Sequence, residues 1–324
     1  MISVIIPAYN AENVIKDCLI SLLSQNYPKN NYEIIVVDDG SSDKTKEIVK
    51  NFKNVRLIEQ NHKGPAAARN LGVRKSKGDI ILFTDADCVP SKNWIKFMTE
   101  PFKDKTIVGV SGTYRTLNKN SLIARFAGYE IEERHEKMKY EKTIDFIGTF
   151  SAAYRKNIFI KFGGFDENFP IASGEDTEFS FKISEKKLKM VFEPRAYVYH
   201  RHPDTLIKYL KQKFWRGYWR ILLYKKHTKK LVKHSYTPRR LFIEIILTGV
   251  TLLFFLLTIL KIISFIFPLA SFLILLLTTI PLSIKIAKKD FQVAFVSPFI
   301  LILRNIALCL GILYGIPILF KKMR

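Results

Sequence analysis

Over its first hundred residues the chain alternates short, almost uninterrupted apolar runs with segments whose apolar residues recur on one helical face. "SVIIPA", "YEIIVVD", "NVRLIE" and "DIILF" are the runs, each of strand length and bounded by polar or turn-forming residues. Between them, residues 13–23 set Val14, Ile15, Cys18, Leu19, Leu22 and Leu23 on one side of a helix. Ser42 or Asp43 is placed to cap a second helix. Pro65 suits the first position of a third, "GPAAARNLGVRKS". Strands that are apolar throughout and separated by helices predict an α/β fold whose parallel sheet is covered on both faces.

Beyond residue 100 the pattern loosens. "IVGVSGTYR" reads as a strand and residues 122–139 as an exposed helix. "GTFSAAYRKNIFIKFGGFDENFP" reads as a strand, a short helix and a glycine turn. "SGEDTEFSFKISEKK" opens a helix with acids in its first turn, and "AYVYHRH" ends a last strand. Residues 204–227 form a basic, aromatic, amphipathic helix of the kind that lies in a membrane interface. Residues 241–260 and 262–284 are each long and apolar enough to cross a hydrocarbon core of about 30 Å. They are expected to form a hairpin around Lys261. A third segment, 293–320, is interrupted by Pro298, Arg304 and Pro317 and is expected to bend or re-enter near Arg304. The expected organisation is a soluble domain over 1–203, a basic interfacial helix and linker over 204–240, and a transmembrane region over 241–324.

Charge sharpens this division. The 324 residues carry a net charge of +23, yet residues 201–240 hold thirteen Lys/Arg against one acid, Asp204. A basic block abutting long apolar segments points to anionic lipid headgroups rather than nucleic acid, for which no recognition module is visible. Cytoplasmic loops of membrane proteins favour Lys and Arg, so the basic block and "KIAKK" (285–289) are expected on that face. A third full span would put "KKMR" (321–324) on the opposite side. The N-terminus enters a strand directly, without the pattern of a signal peptide. Three scattered cysteines, Cys18, Cys88 and Cys309, suggest reduced thiols.

Candidate chemistry gathers at the strand ends, where open α/β sheets bind ligands. Three runs end in "PAYN", "DDGSS" and "DAD". Asp85 and Asp87, one residue apart in a turn, are hard oxygen donors suited to a divalent cation and, through it, to a diphosphate. Asp38 or Asp39 can accept from a base or ribose, and Gly40 permits close approach. Tyr9 offers a stacking face and Arg69 a positive charge. No G-x-G-x-x-G follows the first strand and no G-x-x-x-x-G-K-[ST] occurs, so neither a dinucleotide fingerprint nor a P-loop is supported. Glu175 and Asp176 begin a helix, where acids complement its dipole and where a general base stays ionised. His200, at the end of the last strand, is a possible third metal ligand, and His202 a weaker one.

Taken together these residues resemble the family 2 inverting glycosyltransferases. The matching pieces are "SVIIPAYNAE", "IIVVDDGSSD", "GPAAARNLG", "ILFTDADC", "GTFSAAYRK", "GGFDENF" and "GEDTEFSFKI", in family order over about residues 1–205. The resemblance implies a GT-A, nucleotide-diphospho-sugar transferase fold: a Rossmann-like mixed sheet, followed in this chain by C-terminal transmembrane helices. It implies that Pro7, Tyr9, Asp39, Arg69 and Asp85 contact the nucleotide of a UDP- or GDP-linked sugar. Asp85 and Asp87 would hold Mg²⁺ or Mn²⁺, with His200, from the reading of the residues above, as the third ligand. Asp176 would be the base and Glu175 its neighbour in the acceptor site. The membrane segments imply a lipid-linked saccharide acceptor and a multi-pass protein of the cell membrane whose catalytic domain faces the cytoplasm, building a surface glycan or glycoprotein. "KQKFWRGYWR" has Gln212, Arg216 and Trp219 at spacings unlike the Q-x-x-R-W of processive synthases. Two alternatives stay open: a polyprenyl- or dolichyl-phosphate sugar synthase, and a catalytically silent nucleotide-sugar-binding module.

Overall fold

The four apolar runs form parallel neighbours. In a computed structural model describing residues 1–169, 174–228 and 235–320, β1 (Ile2–Ala8), β2 (Tyr32–Asp38), β3 (Val55–Glu59) and β4 (Ile80–Phe83) lie in the order β3-β2-β1-β4. Four further strands complete an eight-stranded sheet: β5 (Cys88–Pro90), β6 (Ile107–Thr116), β7 (Ala152–Arg155) and β8 (Lys189–His200). They continue as β4-β7-β6-β8-β5, with β7 antiparallel to both neighbours, β8 parallel to β6, and β5 antiparallel to β8. The sheet is therefore mixed. The short strand β5 had no signature in the sequence.

Alternation along β1 and β2 sorts their side chains between two cores. Val4, Ile6, Ile34 and Val36 pack with α1 (Ile15–Leu23), α2 (Thr45–Lys50) and α4 (Trp94–Thr99). Ile5 and Val37 face α3 (Pro65–Lys75), where a Cβ on Gly72 would collide with Ile5. The small residues Ala66, Ala67, Ala68 and Gly72 thus let α3 lie close to the sheet, and this sets the depth at which Arg69 is held. Pro65 is at the start of α3 as the pattern predicts. Asp43, rather than Ser42, serves the start of α2, accepting from the Thr45 amide at 3.0 Å. A second aromatic cluster of Phe83, Tyr154, Phe159, Phe165 and Phe179 joins β4 and β7 to α6 (Lys156–Lys161) and α7 (Glu175–Glu185).

The chain divides into two units, Met1–Leu117 with His135–Arg201, and Asn118–Arg134 with His202–Arg324. Helix α5 (Leu122–Met138) begins in the second. It is not the exposed helix the pattern suggested: Phe126, Ala127, Glu130 and Arg134 form a buried stripe. Two of those four are charged, which hid the stripe from a hydrophobic reading.

In the second unit, α8 (Leu206–Lys226) packs on α11 (Phe291–Gly315) through Gly217 and Gly311. A Cβ on Gly217 would strike the Leu308 carbonyl and one on Gly311 the Phe214 carbonyl, so only glycine permits this approach. Helices α9 (Arg239–Ile259), α10 (Ile266–Ala287) and α11 are each long and apolar enough to cross a membrane. Lys261, in the left-handed region at φ 57°, turns α9 toward α10. Helix α11 continues through Pro298 and Arg304 instead of splitting, because the Arg304 guanidinium is neutralised by Glu130 and Glu244. Residues 321–324, on which the side of the C-terminus turns, lie outside the described residues, as do Lys229, Lys230 and Lys233 of the basic block.

Candidate active site

The order β2-β1-β4 brings the ends of three parallel strands side by side, and with them "DDGSS", "PAYN" and "DAD". Pro7 pairs with Val37 and Ala8 with Asp38 in register. The two acids after β2 have separate tasks. Asp38 shapes the turn, its Oδ2 accepting from the Gly40 and Ser41 amides at 3.2 and 3.0 Å. Gly40 takes φ 78°, which favours glycine.

Asp39 reaches the loop after β3. Its Oδ1 accepts from Gln60 Nε2 at 2.7 Å and from the Lys63 amide at 2.8 Å. Its Oδ2 accepts from the Gly64 amide at 2.9 Å and lies 2.9 Å from His62 Nδ1. The carboxylate therefore has four partners, two of them exchangeable side chains. His62 also stacks on the exposed Tyr9, with ring centroids 4.2 Å apart. Sequence reasoning missed His62 and Gln60. The signal was available, since they follow β3, the neighbour of β2, at the same edge of the sheet.

Arg69 is the hub. It is buried, and donates from Nη2 to Asp85 Oδ1 at 2.7 Å and from Nη1 to Glu175 Oε1 at 2.9 Å. Burial works against its charge, but Asp85 and Glu175 outweigh that, so the guanidinium holds its proton more tightly than usual. Glu175 is buried too, and its Oε2 accepts from the Gly174 amide at 3.1 Å. Asp176, half-buried beside it in the first turn of α7, accepts at Oδ1 from the Thr177 amide at 2.7 Å. Asn70, one residue past Arg69, exchanges hydrogen bonds with both backbone groups of Phe165. It thereby ties the "GGFDE" turn to α3, a positioning role the sequence did not reveal.

Strand β5 accounts for the remaining acid. Its pairing puts Cys88 opposite His200, so Asp87 meets the histidine, with His200 Nε2 3.5 Å from Asp87 Oδ2. Tyr114 stacks on the imidazole at 5.3 Å. Ligand atoms of Asp87, Cys88 and His200 lie within 4.8 Å of one another. Partial burial pushes the Asp87 carboxyl up; His200 opposes this and Asp85 adds to it. Two crowded carboxylates and an imidazole fit a hard divalent cation, which would offset their repulsion. Burial raises the Cys88 thiol well above its usual range, which leaves a neutral sulfur that such an ion disfavours. Of the three expected metal ligands the structure groups Asp87 with His200, while Asp85 is joined to Arg69. His202, by contrast, is in the other unit, where it bonds Asn118.

Residues 3–163 match the sequence profile described as "Glycosyl transferase family 2". The "Probable glycosyltransferase YdaM" of Bacillus subtilis is 31% identical over 234 residues, 68% of this chain and 53% of its own; the chain thus spans about half the length of that relative. The Methanococcus voltae dolichyl N-acetyl-alpha-D-glucosaminyl phosphate 3-beta-D-2,3-diacetamido-2,3-dideoxy-beta-D-glucuronosyltransferase is 26% identical over 226 residues, 65% of this chain and 70% of its own. Among solved structures, the mannosyltransferase PcManGT from Pyrobaculum calidifontis, in complex with GDP-Man and Mn²⁺, superposes with a TM-score of 0.64 at 17% identity. That match covers 97% of this chain and 86% of the other, and shows the fold: a GT-A, Rossmann-like mixed sheet followed by apolar helices. Residues 3–163 are therefore a glycosyl transferase family 2 domain.

Proposed function

We propose that the protein moves a sugar, with inversion, from a nucleoside-diphosphate donor to a hydroxyl of a lipid-linked saccharide, at the cytoplasmic face of the cell membrane. The observation that carries this reading is the Arg69 bridge, which bonds a strand-end acid of the donor side, Asp85, to the Glu175–Asp176 pair. The Methanococcus relative acts on a dolichyl-linked sugar phosphate and PcManGT was solved with a GDP-sugar. Both support the same class of donor and acceptor, as do three helices fit to cross a membrane.

In this reading Tyr9 and Asp39 receive the base, and Arg69 and Asp85 orient the ribose and diphosphate. Asp176 accepts the proton of the acceptor hydroxyl while that oxygen bonds the anomeric carbon. The bond from that carbon to the diphosphate oxygen breaks, and the nucleoside diphosphate departs with its electron pair. The transition state is oxocarbenium-like. Asp87 and His200, with Asp85, would hold Mg²⁺ or Mn²⁺, which when bound neutralises charge on the diphosphate. Glu175, held by Arg69, sets the position of Asp176.

The test incubates membranes with a panel of radiolabelled nucleotide sugars and follows label into the lipid extract. Asp176→Asn and Asp87→Asn should each abolish transfer while the protein stays folded. Full activity in both variants overturns the assignment. Efficient transfer to purified polyprenyl phosphate with no saccharide present would instead make the enzyme a lipid-phosphate sugar synthase.

A further inference from the structure

The second unit contains a cluster of charge that the glycosyl-transfer chemistry does not use. On α8, Tyr209, Lys213, Arg216 and Arg220 fall at helical spacings of four, three and four, which puts them on one stripe. The first two are buried against a single carboxylate: Glu130 accepts from Lys213 Nζ at 2.6 Å and from the Tyr209 hydroxyl at 3.0 Å. Glu130 also accepts from Arg134 at 2.8 Å and Arg304 at 3.1 Å. Burial alone would raise this carboxyl; Lys213, Arg134 and Arg304 reverse that and hold it well below the usual range. Glu244 meets Arg304 and Arg240, and Arg240 also meets Glu133 at 3.2 Å.

The cluster is out of balance. Among the described residues three carboxylates, Glu130, Glu133 and Glu244, stand with seven cations: Arg134, Lys213, Arg216, Arg220, Arg240, Lys285 and Arg304. Among the described residues no carboxylate lies within ion-pairing distance of Arg216 or Arg220, and Arg220 Nη2 donates to Thr237 Oγ1 at 3.4 Å. Arg134 leans over the Tyr236 ring at 5.1 Å, next to Thr237. Burial, and the charges of Arg134 and Arg216 nearby, lower the Arg220 proton affinity despite the help of Tyr224.

Arg216 and Arg220 are half-buried, and cations that have lost part of their water are stabilised when an anion completes them. A phosphate group carries about −1.5 to −2 at neutral pH, so one or two such groups suit Arg216 and Arg220, the two guanidiniums that no described carboxylate meets. Guanidinium forks suit phosphate oxygens. Three membrane-crossing candidates belong to the same unit, so the phosphate most compatible with these surroundings is one carried on a lipid.

We propose that Arg216 and Arg220, with Arg134 beside them, form an anion site that takes the phosphate or diphosphate of a lipid. This differs from general attraction of a basic surface to a membrane, because it depends on two arginines of one stripe and not on total charge. It rests on the proposed lipid-linked acceptor for its biological use.

The test uses the full chain in detergent micelles, with binding of a short polyprenyl diphosphate, inorganic pyrophosphate and the uncharged polyprenol measured by thermophoresis. The diphosphate lipid should bind and the polyprenol should not. Arg216→Gln with Arg220→Gln should weaken binding by about 10–100-fold, the loss of one or two charge-assisted bonds. Lys211→Gln, the same charge change at an exposed position of the same helix, should leave it unchanged. Pyrophosphate binding as tightly as the lipid, with the same arginine dependence, keeps the anion site and assigns it to a free anion. Equal weakening by Lys211→Gln, or no weakening by the arginine pair, overturns it. Nucleotide-sugar binding by the double variant reports that it is folded. Transfer to a soluble acceptor with diphosphate-lipid binding intact would overturn the lipid-linked reading and leave the site standing.

Discussion

Replacing Arg69 by methionine is the sharpest probe of the bonded unit at the strand ends. The substitution keeps length and apolar bulk but strands two carboxylates. Asp85 has a side chain 28% exposed and can recover water; Glu175, at 2%, cannot. Leaving one partner of a buried pair uncompensated costs about 3–5 kcal/mol. For a unit of this size that lowers Tm by about 6–20 °C, at about 2–4 °C per kcal/mol. A stranded buried glutamate binds a proton more readily folded than unfolded. The variant's stability should therefore be best in acid and fall as pH rises, shrinking the deficit against wild type at low pH. Adding Glu175→Gln removes the stranded charge while keeping an acceptor for the Gly174 amide, so the double variant should regain most of the loss at neutral pH. Thermal melts of the three proteins across pH, in one detergent, make the measurement. If the single variant melts with wild type, or the double melts no higher than the single, Arg69 is not neutralising Glu175 and the proposed coupling of donor and acceptor residues is wrong. Transfer activity cannot substitute for this assay, because every one of these variants is expected to be inactive.

We also predict that His62→Ala raises the donor KM by about 2–10-fold with little change in kcat, the size of one lost ring contact. His62→Phe, which restores the stack on Tyr9 and vacates a position on Asp39, should return KM to wild type or below; a fall in kcat alone would rule out a binding role. Glu130, held below the usual carboxylate range, contributes stability that is present above its unfolded value of 4.5 and lost as pH falls through its lower folded value. Acid melts should therefore show Glu130→Gln losing less stability than wild type below about pH 4; parallel acid profiles would contradict this. Gly311→Leu should separate α8 from α11 and cost at least about 1–3 kcal/mol by overpacking, seen as earlier proteolysis within residues 206–226. An unchanged digest would show that close backbone approach is not required there.

The strand ends were legible in the sequence because they obey local rules. Runs such as "YEIIVVD" cannot face water on either side, so they imply a covered parallel sheet, and the acids after them must lie at one edge. That placed Asp39, Asp85 and Asp87 without any knowledge of their partners. Division of labour between Asp38 and Asp39 was not legible, since it depends on amides of the Gly40 turn and of a loop more than twenty residues away. His200 was expected beside Asp85 and Asp87, but the three-residue strand that pairs across the chain and brings it to Asp87 was not legible.

By itself, then, the order of apolar and polar residues determined the parallel half of the sheet, the edge where chemistry gathers and three apolar helices at the end of the chain. Periodicity is a property of neighbours, and these features need only neighbours. Tertiary structure alone decided that Arg69 would bind Glu175, 106 positions away, that α5 would bury Glu130, and that α11 would run unbroken past Arg304. Each is a charge whose burial is tolerable only beside a partner from a distant segment, and no local pattern records which partner that will be.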